Sequence, residues 1–262
     1  MDQIKRNKTD GSVGQSARED VTAGRNPVLE LLKTDQDVET VYIVKGEGKG
    51  PLGRIIALAK ERGVPVKETT AQKIEFLTGV QNHQGVAAVI SARSYSQLED
   101  IFARAGEEPP FILIADEIED PHNLGAIIRS AEAAGAHGII IPKRRGVGLT
   151  AVVAKTSAGA IEHFPVVRVA NLASAIEDLK QRGIWIYGAD MEGQSWCQVD
   201  YSGGVGLVVG SEGRGISRLI REKCDFVVSL PMRGEVNSLN ASVAAGILVY
   251  EIARQRLGLK AR

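Results

Sequence analysis

Apolar positions along this chain come in short runs with two spacings, and each spacing predicts an element. Residues 25–33, RNPVLELLK, have helical spacing, with Asn26 before Pro27 as the start. A strand is predicted over 38–44 (VETVYIV), and a helix ended by glycine over 51–63 (PLGRIIALAKERG). The strand VPVKE, the short helix AQKIEFLTG and the strand GVAAVIS (85–91) complete a small αβ domain over 21–92. Ahead of it, residues 1–20 are polar and of mixed charge, which predicts a disordered tail. Behind it, residues 93–110 are acidic and closed by two prolines, which predicts a linker holding one short helix.

A second series occupies 111–262. Its strands are FILIAD (111–116), HGIIIP, FPVVRV, IWIYGAD (184–190), VGLVVG (205–210) and DFVVSLP. Its helices are NLGAIIRSAEAAG, a segment around LTAVVAKTSAGA, NLASAIEDLKQRG, ISRLIREKC and the long SLNASVAAGILVYEIARQR. Apolar strands alternating with helices predict an α/β fold with a largely parallel sheet covered on both faces. Ligands of such sheets bind beyond the carboxyl ends of the strands. Three polar, glycine-bearing loops fall at such ends: DEIEDPHNLG after 111–115, GSEGRG (210–215) after 204–209, and PMRGEVNSLN after 226–230.

Composition narrows the picture. With 262 residues, 44% of them hydrophobic, the chain can bury a substantial core. Lysine plus arginine (32) balances aspartate plus glutamate (32), so no global basic field draws in nucleic acid. Cys197 and Cys224 have no metal-ligand or disulfide spacing and are expected to be free thiols of a reducing compartment. The apolar runs are too short to span a membrane and the start is polar, so the expected location is cytoplasmic.

GSEGRG invites three common readings that its surroundings oppose. A phosphate loop requires Lys-Ser or Lys-Thr after its last glycine, and none follows Gly215. A dinucleotide fingerprint follows its strand, whereas Gly204 and Gly206 precede the apolar run. A nucleophile elbow at Ser211 requires a small residue two places earlier, where Val209 stands.

Together, DPHNLGAIIRSAEAAG (120–135), LVVGSEGRGIS (207–217) and LPMRGEVNSLNASVAAGILVYE (230–251) resemble the three motifs of the SpoU (TrmH) family of RNA ribose 2'-O-methyltransferases, within the SPOUT superfamily. AGRNPVLELL and NHQGVAAVI (82–90) look like its substrate-binding extension, which resembles a ribosomal protein. The two-domain layout is similar to the branch that methylates a guanosine of large-subunit (23S) rRNA, with tRNA as the alternative target. The resemblance implies a C-terminal trefoil knot binding S-adenosyl-L-methionine and a homodimer whose active sites are completed across the interface. It places the donor near Gly210, Gly213, Leu230, Met232 and Leu239. Glycine suits such a wall because backbone approaches a ligand closely only where side chains are absent.

Arg129 matches the family's catalytic arginine, and Asn123, Glu212, Ser238 and Asn240 match its polar site residues. A guanidinium keeps its proton above pH 12, so Arg129 is read as a phosphate holder and alkoxide stabiliser, and the proton acceptor stays open. Ser238 also has the position of a helix N-cap, as does Asn123 for its own helix. His83, His122, His137 and His163 show no ligand spacing, and no metal is expected. Arg25, Asn26, His83 and Gln84 are RNA candidates by resemblance. Lys143, Arg144 and Arg145 form the densest basic run and are candidates for phosphate. A non-catalytic RNA-binding assembly factor is the reading from another class, and the intact motif residues oppose it.

Overall fold

The computed structural model describes residues 20–46, 50–236 and 238–259. The tail expected over 1–20 therefore lies outside the described residues, apart from Asp20. The first domain runs β1 (Val21–Ala23), α1 (Arg25–Leu31), β2 (Val38–Val44), α2 (Pro51–Glu61), β3 (Val66–Thr69), α3 (Ala71–Thr78) and β4 (Val86–Ile90). Its sheet has the order β1-β4-β2-β3, with β4 antiparallel to both neighbours and β3 parallel to β2. Val28, Leu32, Val41, Ile55 and Val86 form its core. The start of α1 is a correction: Gly24, not Asn26, holds the N-cap position, with φ 98. Pro27 fits inside the first turn because the amide it lacks has no partner within the helix there.

Between the domains, α4 (Leu98–Ala105) carries a capping box of Gln97 and Asp100. This segment is docked onto the second sheet. Ile101 is fully buried under it, and Ser96 N donates to Val166 O at 2.9 Å.

The second domain runs β5 (Phe111–Ala115), α5 (Pro121–Ala133), β6 (Gly138–Pro142), α6 (Ala151–Thr156), β7 (Val166–Val169), α7 (Leu172–Gln181), β8 (Trp185–Ser195), β9 (Val205–Val209), α8 (Arg218–Arg221), β10 (Phe226–Ser229) and α9 (Ala241–Arg256). Its six strands, in the order β10-β8-β9-β5-β6-β7, are all parallel. Every residue of β5 and β9 is buried, as continuous apolar strands require when both faces are covered. Side chains of α5, α6 and α9 cover one face, and those of α4, α7 and α8 the other. The chain steps outward from β5 to β7 and then crosses to the far side, so the strand order reverses between β5 and β9. A crevice at such a switch point is where these sheets bind ligands. β8 continues past the expected end at residue 190 to Ser195. Gly193 permits this, because a Cβ there would collide with the backbone of Val227 in β10.

A buried ion pair joins the two sheets. Arg168 on β7 lies 3.1 Å from Glu39 of β2, and its guanidinium also donates to the carbonyls of Val38 and Glu39. Glu39 Oε1 accepts from Tyr95 Oη at 2.5 Å and from Leu149 N at 3.0 Å. Glu39 Oε2 faces the guanidinium without an aligned hydrogen bond, so its compensation is by charge alone. Burial, and then the adjacent carboxylate, push the Tyr95 hydroxyl well above the ordinary phenol range, which keeps it a donor. A Cβ at Gly148 would land on the Glu39 carboxylate. Glu39→Ala is expected to cost about 2 kcal/mol, the scale of a charged hydrogen bond, because Arg168 keeps two carbonyls and the Tyr95 ring. A denaturant titration checks this, and an unchanged midpoint would refute it.

Candidate active site

The end of β8, the loops following β9 and β10 and the start of α9 line a pocket of about 640 Å³ at the carboxyl end of the second sheet. That size suits a nucleoside-sized ligand. Gly210, Glu212 and Gly213 line it from the loop after β9. Leu230, Met232, Ser238 and Leu239 line it from the loop after β10.

The β9 loop is a closed turn. Ser211 N donates to Gly215 O at 3.1 Å, and Gly215 N returns a bond to Ser211 O at 2.9 Å. Gly213 (φ 78) and Gly215 (φ 65) occupy the left-handed region, where a side chain is strained. Gly210 is needed for space instead, since a Cβ there would overlap the Gly215 carbonyl and the amide of Ile216. Asp116, buried directly after β5, anchors the segment by accepting from Ser217 N at 2.7 Å. The sequence carried no signal for this role of Asp116.

Three of the expected polar residues meet. Asn123 Nδ2 donates to Glu212 Oε1 at 2.9 Å, Asn240 Nδ2 donates to Asn123 Oδ1 at 2.9 Å, and Asn240 Nδ2 also donates to Glu212 Oε1. One residue from each motif thus contributes to a single polar triangle. Asn240 is also the N-cap of α9, its Oδ1 accepting from Ser242 N and Val243 N, which contributes about 1 kcal/mol. This corrects the expected cap at Ser238, which lies two residues too early. Asp120 caps α5 by accepting from His122 N, so Asn123 is free of that duty and turns to Glu212.

Other expected residues lie elsewhere. Arg129 is exposed on α5, does not line the pocket, and has no hydrogen bond or ion pair among the described residues. Its neighbour Ser130 faces α9, where a Cβ at Gly246 would sit 3.8 Å from Ser130 Oγ. On α9, Val243, Ile247 and Tyr250 are exposed at helical spacing and form an apolar stripe. In the first domain, Arg25 donates to Gln84 Oε1 through its amide and to Gln84 O through Nε, while Asn26 is exposed. His83 is buried, and its Nδ1 accepts from Gly85 N at 3.1 Å, which commits the ring to the turn. Lys143, Arg144 and Arg145 line a separate cleft between the domains.

Sequence reasoning missed the acidic character of the pocket, to which Asp190, Glu192 and Glu235 contribute beside Glu212. It also missed Arg214, which lines the pocket 3.9 Å from Glu117. Ser211 Oγ is buried at the pocket with no hydrogen-bond partner among the described residues.

Comparison with known proteins shows the family. The sequence profile described as the SpoU rRNA Methylase family matches residues 110–250, and that described as RNA 2'-O ribose methyltransferase substrate binding matches residues 23–96. A protein of Bacillus subtilis named as a TrmH family tRNA/rRNA methyltransferase is 49% identical over 244 residues, covering 92% of this chain and 98% of the relative. The SpoU methyltransferase AviRb of Streptomyces viridochromogenes, solved in complex with AdoMet, is 25% identical with a TM-score of 0.59, over 91% of this chain and 90% of that one. An AdoMet-bound rRNA methyltransferase of Sinorhizobium meliloti is 26% identical with a TM-score of 0.57, over 92% of this chain and 88% of that one. The chain belongs to the SpoU (TrmH) family of RNA methyltransferases.

Proposed function

We propose that the protein transfers a methyl group from S-adenosyl-L-methionine to a ribose 2'-hydroxyl of structured RNA, and that the acceptor is a guanosine of large-subunit rRNA. The observation that carries the reading is the pocket at the carboxyl end of the second sheet, walled by the second and third motif loops and joined to the first through the Asn123–Glu212–Asn240 triangle. The pocket residues fit the donor. Gly210 leaves room for close backbone approach, and Leu230, Met232 and Leu239 offer an apolar surface for a purine. The carboxylates of Glu192, Glu212 and Glu235 complement a sulfonium and an amino group, while Asp190 is held by Arg221 at 2.9 Å. Ser211 Oγ supplies a hydrogen-bonding group that the protein leaves unused among the described residues.

When bound, S-adenosyl-L-methionine supplies a methyl group on an activated sulfur, so the protein's task is to orient the hydroxyl. In this reading the polar triangle fixes the acceptor side of the pocket. Arg129 holds a backbone phosphate beside the hydroxyl and stabilises the developing alkoxide. Because Arg129 is exposed outside the pocket on α5, which packs against α9, it acts in the site of a second copy packed on the apolar stripe of α9. A homodimer of this kind supports closed two-fold symmetry. The segment from β8 to α9 forms the trefoil knot in the same reading.

The test is methyl incorporation from labelled donor into rRNA purified from cells lacking the protein, followed by mapping of the modified nucleotide. Labelling of a ribose 2'-oxygen on a large-subunit guanosine is expected. Labelling of tRNA alone would overturn the rRNA assignment, and RNA binding without transfer to either would overturn the enzyme reading.

A further inference from the structure

Between the two sheets lies a second cavity, a cleft of about 950 Å³. One wall comes from β2, β3 and the end of α2, and the other from the turn after β6 and from Arg168. Lys60 and Lys67 line the first wall, and Lys143 and Arg144 the second. None of these four has an ion-pair partner among the described residues. Lys143 reaches across the gap, since a Cβ at Gly63 would lie 3.7 Å from its Nζ. Against these cations stand the carboxylates of Asp20 and Glu119. The other charges of the cleft are compensated, Glu39 by Arg168 and Arg145 by Glu117. In a chain of zero net charge, this concentration of uncompensated cations suits a polyanion.

Glu117 links a residue of the cleft to a residue of the pocket. Its Oε1 lies 3.4 Å from Arg145 Nη1, on the cleft side, and its Oε2 lies 3.9 Å from Arg214 Nη1, on the pocket side. Glu117 (φ 56) and Arg145 (φ 59) are both non-glycine residues in the left-handed region. Backbone strain of this kind persists where surrounding structure holds it, and it concentrates at functional sites. Pro121, the first residue of α5, lines the cleft, and Asn123 in the same turn belongs to the polar triangle.

We propose that this cleft carries the phosphate backbone of the RNA substrate from the first domain to the methyl-transfer pocket. Lys60, Lys67, Lys143 and Arg144 are its phosphate contacts, and the Arg145–Glu117–Arg214 bridge is the passage between cleft and pocket. The inference rests on the RNA methyltransferase reading above. Phosphate contacts set affinity and register without reading sequence, so the cleft positions the RNA and the pocket selects the nucleotide. The Glu39–Arg168 pair, also lining the cleft, holds the two walls at a fixed spacing.

The experiment uses the full-length double variant Lys60→Glu/Lys67→Glu. Both residues are exposed, and an unchanged melting temperature and donor affinity show that fold and pocket survive. Deproteinised large-subunit rRNA and total tRNA are the probes, read by fluorescence anisotropy across a salt series and by methyl transfer. RNA affinity is expected to fall at least tenfold at moderate salt, with the loss in transfer appearing in KM for RNA. The slope of log Kd against log salt should become shallower by about one to two, as each lost phosphate contact removes roughly one released counterion. Unchanged affinity and slope would overturn the cleft while leaving methyl transfer standing. Wild-type protein that transfers no methyl group, yet loses RNA binding on the double exchange, would overturn the enzymatic reading and support the cleft. A wild-type protein that binds neither RNA would overturn both.

Discussion

Arg129→Ala is expected to lower methyl transfer about 10²–10³-fold, the scale found when one preorganised donor to a developing oxyanion is removed. Donor affinity and melting temperature should stay at wild-type values, because the side chain is exposed, outside the pocket and without a polar partner among the described residues. That combination separates a residue acting on the transition state from one that holds the fold. Arg129→Lys should recover only part of the rate, since an ammonium keeps the charge but loses the planar fork that grips phosphate. Single-turnover transfer with labelled donor checks both variants. A rate within about fivefold of wild type for Arg129→Ala would remove the arginine from the chemistry.

The placement of Arg129 also shows where sequence alone stops. Its position on α5 follows from helical spacing, but the surface it serves depends on how α5 and α9 pack. The central strands were legible because both faces of the second sheet are covered, which turns β5 and β9 into unbroken apolar runs. β1 was not, since three residues, VTA, are too few to show a period, and its pairing with β4 defines it. The polar continuation of β8 was hidden for a related reason: it exists because Gly193 admits the backbone of β10, a contact between segments distant in the chain.

The candidate site divides in the same way. The glycines of 210–215 are close in sequence and share one loop, so their purpose could be read together. Asn123, Glu212 and Asn240 could be matched one by one, but their triangle needs three strand ends brought to one place. Ser238 and Asn240 are both competent caps by residue type. Only the backbone of α9 selects Asn240. Glu117 gave no signal at all, because its two arginines come from the turns after β6 and β9.

Gly210→Ala is the second large effect, expected to weaken donor binding on the order of a hundredfold. The added methyl would overlap the Gly215 carbonyl and the Ile216 amide, so the turn closed by Ser211 and Gly215 must open. Overpacking of this kind costs about 1–3 kcal/mol, and at this position the displaced atoms are the pocket wall itself. Calorimetric titration with donor alone reads the loss without any RNA, and an affinity within threefold of wild type would show that the turn does not shape the donor site. The variant also supplies the partner for a decisive mixture. Coexpressed Arg129→Ala and Gly210→Ala chains form heterodimers in which, if each arginine serves the other chain's pocket, one site carries both defects and the other carries neither. At equal expression about half of the dimers are mixed, so roughly a quarter of wild-type transfer returns. If arginine and pocket instead work within one chain, every site is defective and nothing returns beyond the sum of the separate variants.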